Sequence, residues 1–272
     1  MEYCEGGQIN DLQYIRQHDI STHDVCSKLG QLYSEMIFRQ GYVHCDPHPG
    51  NVLVRKHPLY KTQLVLLDHG LYTVLSEQFR QSYANFWLAL LRRDLDSMRV
   101  YAAQMGVGHL YGLFACMVTA RSWRSITAGV DRTGMTKEEN AEIQQYVTSW
   151  LPQISDVLER VPRPMVLVFK TNDLIRGIEF ALGQQRTPLA LVQMSKDCVR
   201  TVHETELRNC DTLLCRLRVS ARAYRTLTEL WLYECWLIVR DFVTRYSRSV
   251  SGRISNAILQ NAAKSHASTA EL

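Results

Sequence analysis

The sequence predicts a mainly α fold carrying one small β-hairpin, and three observations lead there. Beyond Gly70, apolar residues recur at helical spacing almost without interruption. Before it, the short apolar runs Asn51–Val54 and Leu64–Leu67 flank the turn signal His57-Pro58, as the two strands of a hairpin would. The stretch YVHCDPHPGNVLV, Tyr42 to Val54, packs two histidines, an aspartate, two prolines, a glycine and an asparagine between apolar runs, which is more chemistry than a turn needs.

In chain order, Gly6 and Gly7 close a short opening segment. Asn10 or Asp11 suits the cap of a brief helix reaching His18. Ser21 and Thr22 start a longer helix, whose Val25, Leu29, Leu32, Met36 and Ile37 keep helical spacing, and Gly41 suits the left-handed residue after its last turn. After the hairpin, Ser76 caps a helix with the face Phe79, Tyr83, Phe86, Trp87, Leu90 and Leu91. Further helices are predicted from Asp94 to Gln104, stopped by Gly106, and from Leu110 to Trp123. Ala128–Gly134 reads as a loop and marks the internal boundary, with residues 1–128 as the core and 129–272 as a helical C-terminal extension. Thr136 and Glu139 form a capping box for a helix reaching Arg160, which the turn VPRP, Val161–Pro164, breaks. Helices over Met165–Leu182, Pro188–Glu206 and Asp211–Tyr246 complete the chain, with a frayed polar tail after Ser247.

Composition narrows the function. The 272 residues suffice for a real core, and the apolar fraction of 46% is that of a globular protein. A net charge of +4, with dispersed lysines and arginines, gives no footprint for nucleic acid. None of the eight cysteines forms a C-x-x-C pair, so they are expected to be buried reduced thiols rather than a zinc site or a disulfide framework. The opening MEYCEGGQIN has neither the basic start and apolar stretch of a signal peptide nor an arginine-rich presequence. Leu230–Val239 is too short and charged to span a bilayer, which needs about 20 apolar residues, and reads as amphipathic helix. Within Tyr224–Tyr246, Trp231 and Trp236 are expected to pack in a core, with contact to a membrane surface as the alternative.

The chemistry lies in two short motifs. His44, Asp46 and Asn51 have the spacing H-x-D-x-x-x-x-N, and Asp68-His69-Gly70 has the form D-x-G at the end of the next strand. A carboxylate at Asp46 can take a proton from an attacking hydroxyl. The oxygens of Asn51 and Asp68 suit magnesium, which prefers hard oxygen ligands and keeps much of its water. In that order and across a hairpin, these are the parts of kinase-type phosphoryl transfer. Pro47 and Pro49 stiffen the loop and Gly50 permits a turn that a side chain would block. His44 is expected to brace the D-x-G turn together with Gly70, and His69 to pack. His48 stands where many kinases carry a lysine near the transferred phosphoryl group, and either faces phosphate or braces the loop. Lys170, Asn172, Asp173 and Arg176, polar residues on a largely apolar helix, read as ion pairs and caps that hold the late helices to the core, with a contact near the nucleotide as the alternative.

HCDPHPGN followed by LDHG resembles the UbiB, or aarF-domain-containing, family of atypical kinases, and Val161–Glu179 is similar to that family's K-T-N-D-L-x-R segment. The resemblance implies the large lobe of a protein-kinase-like fold, with ATP and magnesium as cofactors, Asp46 as base and Asn51 and Asp68 as metal ligands. It implies a mitochondrial location, a link to lipid and coenzyme Q homeostasis, and ATPase or unorthodox kinase activity. Met1–Gly7 resembles the hinge, so Glu2 and Cys4 are expected to meet the adenine. The small nucleotide-covering lobe that precedes the hinge is absent from this sequence, so the chain is expected to be a truncated form with little turnover by itself. Two other readings stay open: a catalytically silent helical scaffold, and a metal-dependent hydrolase drawing its ligands from His44, Asp46, His48, Asp68 and His69, with the H-x-D-x-H spacing able to seat zinc.

Overall fold

A computed structural model describes residues 3–59, 61–128, 150–183, 189–236 and 239. The chain forms two compact units, Met1–Leu227 and Thr228–Leu272. The division at residue 128 therefore remains one of sequence. Within the first unit the late helices pack on the early ones.

That unit holds a small sheet and a set of helices. β1 (Gly7–Gln8) pairs with β3 (Val52–His57), and β3 pairs in turn with β4 (Lys61–Leu66), all antiparallel, with Val52 opposite Leu66. Val52 and Val54 are fully buried while their neighbours are not, the period of two that places one face on the core. Separately, β2 (Tyr42–His44) pairs with β5 (Tyr72–Val74). The hairpin follows the sequence expectation, with the second strand beginning earlier than Leu64. β1 and the β2–β5 ribbon had no signal of their own, because two or three residues carry no periodicity and their pairing is tertiary.

The helices start where the sequence places their caps. Asp11 accepts N–H groups of Gln13 and Tyr14 at 3.0 Å and opens α1 (Leu12–Gln17). Ser21 opens α2 (Thr22–Ser34), Ser76 opens α3 (Glu77–Arg92), and Asp94 opens α4 (Leu95–Gln104). α5 (Tyr111–Thr119) ends early, because Ala120 turns left-handed at φ 52° and Ser122 caps α6 (Trp123–Ala128) through the Ser125 N–H. The continuous helix expected from Leu110 to Trp123 is thus broken. The tertiary contact of Trp123, edge-on to Tyr111 at 5.7 Å, accompanies the break without any glycine or proline to announce it. Residues 150–160 (α7) are helical, Pro162 ends them as expected, and α8 (Arg163–Ala181) and α9 (Leu189–Arg208) follow. Residues 213–227 close the unit as helix. The loop at Ala128–Gly134 past its first residue, the capping box at Thr136 and Glu139, and the tail after Ser247 lie outside the described residues.

Aromatic rings bind these helices together. Phe38 stacks on Tyr83 of α3 at 5.3 Å, Phe86 meets Phe114 of α5 edge-on at 4.9 Å, and Phe114 meets Phe169 of α8 at 5.8 Å. Between α2 and β2 the helix widens to a π-turn, Glu35–Gln40, closed by a bond of 2.8 Å from the Gly41 N–H to the Met36 carbonyl. The Phe38 carbonyl accepts from Thr201 of α9 at 3.1 Å, and the Arg39 carbonyl accepts from Arg80 at 2.5 Å. Gly41 then turns at φ 68°, where a Cβ would lie 2.9 Å from the Leu75 carbonyl oxygen. Two expectations are corrected. Cys210 and Cys215 form a disulfide, so the cysteines are not all reduced thiols. In the second unit Trp231 and Trp236 are 56% and 51% exposed, so they are not core residues.

Two stability predictions come from this packing. Gly41→Ala combines a left-handed residue with a backbone clash and is expected to cost about 1–3 kcal/mol in chemical denaturation; an unchanged midpoint would contradict the geometry. Burial pushes the Glu179 carboxyl of α8 up to about 7, against the pull of Arg176. A carboxyl raised in this way leaves the fold unpenalised below its unfolded value and costs stability as pH climbs through about 7. Glu179→Gln should therefore stabilise the protein at pH 8 by on the order of 1–3 kcal/mol and make no difference near pH 4.5. A gain independent of pH would refute the assignment.

Candidate active site

The ribbon β2–β5 builds the site. With His44 opposite Tyr72, the residues after β2 and those before β5 must converge, and the Cys45 N–H donates to the Leu71 carbonyl at 3.0 Å. The loop then turns tightly. Pro49 opens a single 3₁₀ turn through Asn51, His48 Nδ1 accepts the Gly50 N–H at 3.1 Å, and the Asn51 N–H returns to the His48 carbonyl at 2.7 Å. A Cβ on Gly50 would sit 3.3 Å from His48 Nδ1, so closeness to that ring, with no left-handed backbone, is what constrains this position.

His44 is fully buried below the loop. Its Nε2 lies 3.0 Å from the Asp68 carbonyl oxygen, which can only accept, so this nitrogen donates. In the neutral ring Nδ1 is then the acceptor for the Tyr33 hydroxyl at 3.1 Å. Asp68 needs such holding. Its φ is 54°, a left-handed conformation that aspartate tolerates better than most side chains, and its Oδ1 accepts the Gly70 N–H at 3.3 Å. His69 Nδ1 meets the Tyr72 hydroxyl at 2.7 Å and its ring stacks on Tyr72, which stacks on Tyr42.

Asn51 joins the two motifs. Its side-chain amide donates to the Asp46 carbonyl at 3.2 Å and to Asp46 Oδ2 at 3.3 Å. Its own carbonyl accepts the Leu67 N–H at 2.8 Å, one residue before Asp68. The structure thus brings Asp46, Asn51 and Asp68 to one end of the hairpin, with Asp68 exposed and Asp46 partly so. With the amide nitrogen of Asn51 committed to Asp46, its oxygen is the atom left for a cation. Hard oxygen donors on Asn51 and Asp68 suit magnesium, which needs few protein ligands when phosphate supplies the rest.

One of the polar residues singled out on the late helix reaches the loop. Lys170, on α8 and 124 residues away in sequence, donates to Asp46 Oδ1 at 2.9 Å. This hydrogen bond holds the Asp46 carboxyl below the usual carboxylate range, helped by the charge of Lys170 and opposed by burial. The residue beside it, Thr171, is fully buried and donates its hydroxyl to the Leu167 carbonyl at 2.8 Å. Farther along α8, Arg176 donates to the Val118 carbonyl at the end of α5 and pairs with Asp173 at 2.6 Å. The helix-holding role expected of the whole group is therefore taken by Arg176 and Asp173, while Lys170 reaches the loop.

The zinc reading fails on ligand geometry. Both ring nitrogens of His44 are engaged below the surface, His48 Nδ1 is engaged with Gly50, and among the described residues no three or more His, Cys, Asp or Glu side chains converge as a metal site would require. In the segment expected to form the hinge, Cys4 is half-buried and the chain runs through Gly6 into β1, the strand beside β3, while Glu2 lies outside the described residues.

Comparison with known proteins agrees with the geometry. Residues 1–102 match the ABC1 atypical kinase-like domain. The chain is 52% identical over 243 residues to a Drosophila melanogaster AarF domain-containing kinase 1, covering 88% of this chain and 46% of that protein. It is 46% identical over 235 residues to the Xenopus tropicalis AarF domain-containing protein kinase 1, covering 86% and 45%. It is 32% identical over 250 residues to the ABC1 family protein MCP2 of Saccharomyces cerevisiae, covering 86% and 43%. A match over 86% of the chain necessarily contains both Asp46 and Lys170. The chain spans about half the length of these relatives. With the two kinase-type motifs joined through Asn51 and these identities over most of its length, the chain belongs to the ABC1, or AarF-domain-containing, family of atypical kinase-like proteins.

Proposed function

We propose that this site binds a nucleoside triphosphate, ATP, with magnesium, and transfers its γ-phosphoryl group to a hydroxyl or to water. The observation that carries the reading is the chain of bonds from Asp46 through Asn51 to the residue before Asp68. Asp46, ionised and beside the loop, accepts the proton of the acceptor hydroxyl. That hydroxyl's oxygen forms a bond to the γ-phosphorus as the bond from this phosphorus to the bridging oxygen breaks, and the electron pair leaves with the diphosphate. Asn51 and Asp68 hold magnesium, which when bound neutralises charge on the phosphate oxygens. His44, Tyr33 and Gly70 keep Asp68 in its left-handed position, and the segment around Cys4 lies at the adenine end. The family resemblance further supports a mitochondrial setting with a role in lipid or coenzyme Q homeostasis.

A second contact is favoured by a specific surface. In the first unit, Leu213, Leu214 and Leu217 are 74%, 77% and 59% exposed on one short stretch of helix, with exposed Arg216 and Arg218 among them. Exposed leucines interleaved with arginines suit the boundary of an anionic bilayer. Among the described residues no helix is long and apolar enough to cross a membrane.

Both readings are tested by binding. Asp68→Asn keeps a side chain that tolerates the left-handed backbone and can still accept from Gly70, so the fold should survive. Calorimetric titration with a non-hydrolysable ATP analogue should show at least about 10-fold weaker binding in the presence of magnesium, and little change in its absence. Equal affinities in magnesium would remove the metal role of Asp68. Vesicle flotation should recover the chain with liposomes containing anionic phospholipid and not with neutral ones, and Leu213→Glu/Leu217→Glu should abolish recovery. Recovery with neutral vesicles, or indifference to the substitutions, would end the lipid reading.

A further inference from the structure

Charge on a transferring phosphoryl group spreads over its equatorial oxygens, and sites that catalyse the transfer place cations against them. The loop here does not supply one at the expected place. His48, two residues after Asp46, uses Nδ1 to accept the Gly50 N–H, so that nitrogen carries no proton and the ring serves the turn. A cation arrives instead from α8. Lys170 Nζ lies 2.9 Å from Asp46 Oδ1, its side chain half exposed.

We propose that Lys170 is the phosphoryl-contacting cation of this site, taking the place that a loop lysine holds in other kinase-like proteins. The assignment rests on the phosphoryl-transfer reading above and adds to it a residue far outside the two motifs. Three features support it. The position of Lys170 is fixed by the core: its neighbour Phe169 is packed edge-on against Phe114, and its other neighbour, Thr171, is fully buried beside Cys45. The ammonium reaches the same carboxylate that takes the acceptor's proton, so it stands where the acceptor and the phosphoryl group must meet. An ammonium has three donors, so one can stay on Asp46 while another turns to a phosphoryl oxygen. Arg176, the other cation of the same helix segment, is committed to Asp173 and to the end of α5. In the step itself Lys170 neither gains nor loses a proton. It donates hydrogen bonds to the equatorial oxygens while the bond to the acceptor forms and the bond to the diphosphate breaks.

The decisive property is selectivity for the γ-phosphate. Calorimetry on the purified chain, in magnesium, compares a non-hydrolysable ATP analogue with ADP for the wild type, Lys170→Gln and Lys170→Arg. Lys170→Gln should weaken the triphosphate analogue about 10-fold or more while leaving ADP within about 2-fold, and Lys170→Arg should retain most of the affinity. Because the side chain is half exposed, a thermal melt should find both variants folded. Equal losses for the two nucleotides would mean that Lys170 only shapes the loop, and no loss for either would mean that it does not face the phosphates; both overturn the assignment. If Asp68→Asn weakens binding and Lys170→Gln does not, the phosphoryl-transfer reading stands and this assignment alone falls. If the wild type binds neither nucleotide, both fall together.

Discussion

The hydrogen bond from the buried His44 ring to the carbonyl of Asp68 is the constraint on which this site depends. It ties the H-x-D motif to the D-x-G motif through a ring that is itself fully buried. Asp68 sits at a positive φ that a chain does not hold by preference, and the bond comes from a ring fixed on its other side by Tyr33. The same ring stands at the end of β2, so the ribbon that pairs β2 with β5 sets how far the Asp46 loop lies from the Asp68 turn. Removing the ring would take a partner from the buried Tyr33 hydroxyl and from the Asp68 carbonyl at once.

Much of this was legible in the sequence, for a physical reason. The caps Asp11, Ser21, Ser76 and Asp94 and the left-handed Gly41 act within a few residues of themselves, so local chemistry alone locates them. The H-x-D-x-x-x-x-N and D-x-G spacings are legible likewise, since each motif is a single turn. What was not legible is tertiary. β1 and the β2–β5 ribbon are too short for periodicity, and the break at Ala120 has no glycine or proline to mark it. Trp231 and Trp236 fit an apolar pattern that says nothing of whether a partner covers them. Lys170 was visible as a polar residue on an apolar helix, read as part of a helix-holding network with a contact near the nucleotide as the alternative. Nothing at that position names Asp46, and only the packing of Phe169 and Thr171 does.

The π-turn shows how a local irregularity becomes a positioning device. Phe38 and Arg39 stand in the last turn before Gly41, where main-chain carbonyls have no partner within the helix. Thr201 of α9 and Arg80 of α3 supply donors to Phe38 and Arg39. Deeper in the same contact, the buried Asp197 of α9 accepts from Ser34 and pairs with Arg200 at 2.9 Å. Each of these donors lies far along the chain, so the direction in which α2 delivers the chain into Gly41 and β2 is decided by helices that follow the site.

Those bonds change how the late helices should be understood. A boundary at residue 128 makes everything after it an extension of the site-bearing core, and a domain match confined to residues 1–102 suggests the same division. Yet α9 satisfies the turn that aims β2, and α8 places an ammonium on the carboxylate of the loop. A segment that merely covered a finished site would contact its outer surface through apolar residues. These helices instead supply polar partners to main-chain and side-chain groups of the loop and of the turn that precedes β2. The loop's geometry is consequently a property of the whole first unit, and the match to relatives spans the early and the late helices alike.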